Sequence, residues 1–168
     1  MLQAGHRRVD DVAGRSGPMA SVEERIAANA AKVHEHAVHE HRRELPQLLA
    51  TDHPDAVYED VPRGLRWEGL KQVEAFYLEL LSAFPDVRFE LVARRAGPDH
   101  VTEELVARAT HQGPIRAAWG TVPATGKKVE FRLCIVFPMM PDGRIGGETV
   151  YYDLAGIYRQ LGLLPPGL

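Results

Sequence analysis

The sequence predicts a segregated α+β domain, with three helices ahead of a strongly curved antiparallel sheet. Two periodicities and one size argument carry that expectation. Apolar residues recur at helical spacing up to residue 84, and after Pro85 they switch to the alternation of strands. A chain of 168 residues is long enough for one sizeable core and too short to divide comfortably into two. Helices first and a meander of strands second give a sheet with one face packed on helices, and curvature leaves a hollow between the layers where small molecules bind.

Each element has its own local cause. Ser21-Val-Glu-Glu24 is a capping-box signature, and Val22, Ile26, Ala30, Val33 and Ala37 follow on one face, predicting a helix to about His41. Pro46 marks a break, and QLLA forms a short second helix that ends at the turn-rich TDHPD. Ala56–Val61 is aromatic and β-branched enough for a strand. Leu70, Val73, Phe76, Tyr77, Leu80, Leu81 and Phe84 form the stripe of a third helix. VRFELVARR, HVTEELVARATHQG, KKVEFRLCIVFPMM and GRIGGETVYYD are then four consecutive strands, separated by AGPD, a Pro/Gly-containing loop and PDG. LAGIYRQLGLL closes the domain as a short helix before Pro165 and Pro166.

Bulk composition excludes several classes. With 45% hydrophobic and 26% charged residues the chain is globular. A net charge of -3 with scattered lysines and arginines lacks the basic stripe of a nucleic-acid binder. The single cysteine, Cys134, cannot form an internal disulfide, and no apolar run matches a bilayer, so a cytoplasmic protein without membrane partners is expected. Residues 1–20 have positive charge but no apolar core of a signal peptide, and read as a loose arm or a consequence of start-codon choice, since Met19 directly precedes the first helix. The domain proper is 21–168.

From residue 56 onward several segments, in order, resemble one known family. IGGETVYYDLAGIYRQLGLLP at 145–165 is similar to an acidic residue, aromatic pair, aspartate and terminal R-Q-L-G block; AFPDVRF at 83–89, ATHQGP at 109–114, PATGKKVEF at 123–131 and WEGLKQVEAFY at 67–77 accompany it. These segments resemble the SnoaL-like polyketide cyclases of the nuclear transport factor 2-like superfamily. The resemblance implies a cone-shaped, cystatin-like α+β fold with a curved, antiparallel (mixed) sheet, a homodimer, and cofactor-free acid/base chemistry on a small hydrophobic carbonyl compound, polyketide- or ester-like. Relatives of this fold also include non-catalytic binding modules, the alternative reading, so function rests on the site.

Asp153 is the first catalytic candidate, because the matching aspartate of the family is the general acid/base of an aldol ring closure. The same position, just ahead of LAGIYRQL, is also where an N-cap aspartate belongs. His111 matches a pocket-facing histidine of the family and could bind a developing oxyanion or relay a proton; the alternative is a strand-end histidine bonded to a loop carbonyl. Tyr151 shares the face of Asp153 by period two and could orient a substrate or supply a phenolic hydrogen bond, the alternative being an aromatic core residue, whereas Glu148 falls on the opposite face, so a carboxylate pair with Asp153 is not expected. Tyr58, Trp67, Phe76 and Trp119 are candidate apolar walls of a substrate pocket, with Trp119 in the loop-like IRAAWGTVPATG. The run KVHEHAVHEH places His36 with Glu40, and Glu35 with His39, four apart on a helix, a spacing that can share a metal. No further ligand is visible, and alternating His and Glu also describes a solvated face, so no metal site is expected.

Overall fold

The computed structural model describes residues 21–164, so the expectations for residues 1–20 and for Pro165 and Pro166 lie outside the described residues. α1 (Val22–Arg42) opens on the reciprocal capping box, in which Ser21 accepts from the Glu24 amide and the Glu24 side chain bonds the Ser21 amide. α2 (Leu45–Thr51) carries Pro46 in its first turn, where a missing N–H costs nothing. α3 spans Leu70–Ala83 and α4 spans Leu154–Leu161. No helix among the described residues is long and apolar enough to cross a membrane.

The strands are β1 (Asp52–Asp60), β2 (Leu65–Glu68), β3 (Arg88–Ala96), β4 (His100–Thr110), β5 (Ile115–Ala117), β6 (Gly120–Val122), β7 (Lys128–Pro138) and β8 (Ile145–Tyr152). Six of them form one sheet in the order β2-β1-β8-β7-β4-β3, and β5 pairs β6 in a small hairpin. The meander β3-β4-β7-β8 is antiparallel as predicted, whereas β1 joins β8 in parallel. Three local readings change. TDHPD is not a turn: Thr51 ends α2 and DHPD starts β1, with a register shift between Asp52 and Val57. LRWE, given no element by the sequence, becomes β2 because the 3₁₀ turn at Val61–Arg63 folds it back on β1. The loop-like IRAAWGTVPATG contains the β5–β6 hairpin.

Three apolar clusters leave a hollow between them. α1 contributes Val33 to a cluster with Val101, Leu105, Leu133, Ile135 and Phe137 of the sheet. α2 and α3 bring Leu48, Val73 and Tyr77 onto Ala56, Tyr58 and Trp67. α4 packs Ile157 and Leu161 on Val87, Ala109 and Val129.

The pairing of β1 with β8 places the site, since Tyr58 lies beside Glu148 and Asp60 beside Val150. That approach needs a glycine. Gly147 has φ +137°, and a Cβ there would come within 1.8 Å of the Val57 carbonyl oxygen.

Candidate active site

A cavity of about 560 Å³ opens between the sheet and the helices. Its wall is aromatic and aliphatic, with Phe76 and Phe84 from the α3 side and Phe89, Phe131, Leu133 and Ile135 from the sheet. Three polar groups interrupt it. One holds Glu40 of α1 and Glu148 of β8, a second Asp60, Arg63, Tyr152 and Tyr158, and the third is the largely exposed ion pair of Arg116 with Glu79. An apolar hollow with a few convergent polar side chains is the usual form of a small-molecule site.

The first group rests on a buried network whose protons can be assigned. Thr51 Oγ1 donates its one proton to the Leu48 carbonyl oxygen at 2.6 Å, so at 2.7 Å from His36 Nδ1 it can only accept. Nδ1 therefore carries hydrogen. His36 Nε2 lies 3.1 Å from Glu148 Oε1 and 3.0 Å from the Tyr77 hydroxyl, which itself donates to Glu148 Oε1 at 3.1 Å. A carboxylate oxygen beside Nε2 calls for a proton there too, which makes His36 an imidazolium. Burial alone would lower its pKa, but the bond to Glu148 and the charges of Glu148, Asp52 and Glu40 raise it to about 9. Glu148 Oε2 makes no hydrogen bond to the described residues, and Glu148 lines the cavity.

Two further carboxyls share this environment. Asp52, deeply buried, accepts from the Tyr58 hydroxyl at 3.1 Å and leaves Oδ1 without a partner, 3.7 Å from His36 Nδ1. Burial pushes its pKa up to about 7. Glu40 lines the cavity beside the charge of Glu148, and burial together with that charge raises it to about 7. Glu40 thus keeps its proton to about pH 7, well above an ordinary glutamic acid, while Glu148 is the acceptor of two hydrogen bonds. Tyr58 and Tyr77 are held well above ordinary phenol values by burial, so they serve as donors.

The second group is built on one carboxylate. Asp60 accepts from the Arg63 backbone N–H at 3.1 Å, from Arg63 Nε at 2.6 Å, and from the Tyr152 hydroxyl at 2.9 Å. Only Nε of the guanidinium side chain is used in this contact.

Most residues singled out from the sequence lie elsewhere. Asp153 is exposed, caps α4 by accepting from the Gly156 amide at 2.8 Å, and does not line the cavity. His111 is buried beside Phe84, its Nδ1 3.0 Å from Thr125 Oγ1, and is also absent from the cavity wall. Burial lowers its pKa, which disfavours the protonated form. Tyr151 is exposed on the opposite face of β8, and Tyr152 faces the cavity instead. Trp119 is 60% exposed on the hairpin and packs edge-on against Tyr158 at 5.0 Å. Tyr58 joins the buried network, and Trp67 stands behind Phe76 at 4.9 Å. Of the four wall candidates only Phe76 lines the cavity, and Tyr151 does not.

The His/Glu run of α1 is not uniformly solvated. His34 and Glu35 are exposed, but His36 is fully buried. Both His36 nitrogens are occupied by Thr51, Tyr77 and Glu148, and His39 bonds Glu44. Among the described residues no group of three or more His, Cys, Asp or Glu could hold a metal ion.

The position of Asp153 yields a first expected outcome. Asp153→Ala should cost about 1 kcal/mol of stability in denaturant unfolding, as lost caps do, while Asp153→Asn, a good cap, should cost far less. Ligand affinity of the cavity should stay within about twofold in both variants, because the carboxyl bonds only the helix amide. A larger loss of affinity would return Asp153 to the site.

The model of the SnoaL-like polyketide cyclases matches residues 28–161. The chain belongs to that family. No curated relative matches the sequence. Among solved structures, AclR from Streptomyces galilaeus is 24% identical, with 83% of this chain and 88% of that one covered and a TM-score of 0.68. A candidate SnoaL-like polyketide cyclase from Jannaschia sp. CCS1 is 18% identical, with coverage of 89% and 100% and a TM-score of 0.71. An LEH-like epoxide hydrolase from M. tuberculosis is 18% identical, with coverage of 81% and 90% and a TM-score of 0.62. At these identities the solved structures establish the shared fold, and the chemistry of this SnoaL-like chain is read from its own cavity.

Sequence reasoning missed Glu148, Glu40, Asp60, Arg63 and Tyr152 as site residues. One signal was present. Glu148, Val150 and Tyr152 alternate on one face of β8, and a glutamate on an otherwise apolar face is what an inward carboxyl looks like.

Proposed function

We propose that this SnoaL-like chain is a cyclase or isomerase that works by general acid/base catalysis on a small hydrophobic carbonyl compound, with Glu148 as base and Glu40 as acid. The reading rests chiefly on one observation. A carboxylate oxygen of Glu148 is left free toward an apolar cavity while its twin is held by His36 and Tyr77. Two carboxyls whose surroundings separate their protonation states supply the acid and the base of one reaction.

In this scheme Glu148 Oε2 takes a proton from a carbon flanked by carbonyls. The electron pair moves to the carbonyl oxygen, giving an enolate that accepts a proton or hydrogen bond from the Glu40 carboxyl. Attack of the enol carbon on a second carbonyl forms a ring bond, and the new alkoxide takes up the proton. Without a second carbonyl, reprotonation at a different carbon is an isomerisation.

Exchange of carbon-bound hydrogen for solvent deuterium, followed by NMR over a panel of aryl β-ketoesters and β-diketones, tests the scheme without knowing the product. Exchange should fall as pH rises through about 7, because Glu40 must hold its proton to act as acid. Glu40→Gln should slow exchange by about tenfold and erase that limb, since an amide donates without titrating. Binding of panel members without exchange would instead establish a non-catalytic ligand carrier.

A further inference from the structure

The acid/base group accounts for one end of the cavity, and the other end has a donor set that the proposed chemistry does not use. Asp60 is saturated on both oxygens by the Arg63 amide, Arg63 Nε and the Tyr152 hydroxyl. It therefore fixes the guanidinium by one edge. The guanidinium also reaches the Tyr152 hydroxyl and lies over the Trp67 ring at 6.0 Å, but its terminal nitrogens meet no second carboxylate among the described residues, and Arg63, half-buried at 22% side-chain exposure, lines the cavity. Tyr158 also lines the cavity, is buried, and its hydroxyl makes no hydrogen bond to the described residues.

A guanidinium and a phenol at the wall of an otherwise apolar cavity give this end N–H and O–H donors that a bound acceptor can use. The fork of an arginine matches the two oxygens of a carboxylate, and the attraction is strengthened where water is thin. The single proton of Tyr152 is already committed to Asp60, so toward the Arg63 guanidinium the hydroxyl can only accept. The donors left over are those of Arg63 and Tyr158.

The spacing of the two ends follows from the strand. Glu148, Val150 and Tyr152 lie on one face of β8, and Asp60 pairs beside Val150. At about 3.3 Å per residue, Glu148 is roughly 7 Å from the level of Asp60 and roughly 13 Å from Tyr152. Between them the wall is Leu133, Ile135 and Val150, all apolar.

We infer that the cavity takes an organic monoanion, a fused-ring compound whose carboxylate is gripped by Arg63 and Tyr158 while its carbonyl end lies at Glu148 and Glu40. Arg63 is then a specificity-determining residue. It selects acids over their esters and sets which carbon reaches the base. The orientation of the carbonyl end rests on the function proposed above, but the anion site does not, and it can be measured with no turnover at all.

The test uses an acetylnaphthoate, with ketone and carboxylate at opposite ends of the fused ring, and its methyl ester, each titrated calorimetrically into the full chain. The wild type should bind the acid at least about tenfold more tightly than the ester, a difference of about 1.4 kcal/mol. Arg63→Gln should bring the two affinities within about twofold of each other by weakening the acid alone, and Tyr158→Phe should weaken the acid several-fold. Because Arg63→Gln leaves Asp60 with one partner fewer, the double variant D60N/R63Q serves as a folding control and should bind the ester like the wild type. Glu148→Gln should leave the acid preference intact, which separates failure of the anion site from failure of the catalytic reading. Equal affinity of the wild type for acid and ester, a preference that survives Arg63→Gln, or no binding of either compound up to about 1 mM would overturn the inference.

Discussion

Glu148→Gln is expected to lower deuterium exchange on any substrate of the panel by roughly 10²- to 10⁴-fold, the range over which a positioned general base acts. Glutamine has the same shape and can still meet the Tyr77 hydroxyl through its carbonyl oxygen, but it has no electron pair basic enough to take a carbon-bound proton. The change also removes the anion that His36 faces at 3.1 Å, so the imidazolium should lose its proton at lower pH than in the wild type. NMR titration of the His36 ring would register that fall directly. Exchange that persists within about threefold of wild type would remove Glu148 from the base role, whatever the titration shows.

His36→Ala carries the largest expected cost in stability, about 3–5 kcal/mol by denaturant unfolding, because it strands the carboxyls of Glu148 and Asp52 in the interior without their cation. The same network sets the pH dependence of the wild type. His36, Asp52 and Glu40 all have folded pKa values above their ordinary ones, and burial raises Glu103 as well. A group that holds its proton more tightly when folded stabilises the protein below its unfolded pKa, and that contribution is lost as pH rises through the folded value. For Asp52 and Glu40 the loss falls between about pH 4 and 7, and for His36 between about 6.5 and 9. The melting temperature should therefore decline steadily from about pH 5 to pH 9. In His36→Ala the share of the decline due to the imidazolium should vanish, while the losses from Asp52 and Glu40, which that cation holds down, should move to higher pH. A wild-type melting temperature that rises over this interval would contradict the proton assignment of the network.

Reading the sequence recovered the fold because its cues are local. The capping box at Ser21, the stripe of α3 ended by Pro85, and the alternation along β4 and β7 each act within a few residues. β2 was missed because four residues are too few for a period, and the β5–β6 hairpin because two three-residue strands resemble a loop. The site was read less well, and for two reasons. A terminal aspartate ahead of a helix satisfies a capping rule and a family pattern at once, and the exposed side chain of Asp153 does the first. Period two along β8 correctly separated Glu148 from Asp153, but it does not say which of the two faces looks inward.

The chain by itself therefore determined which segments become helices and strands, their order, and a curved sheet able to hold a hollow, since these follow from spacing and turn chemistry within each segment. Tertiary structure alone decided what the hollow contains. His36 and Glu148 are 112 residues apart and meet because α1 covers the face of β8 that the parallel pairing with β1 turns inward. That choice of face is made by burial summed over the whole sheet, and no window of neighbouring residues records it.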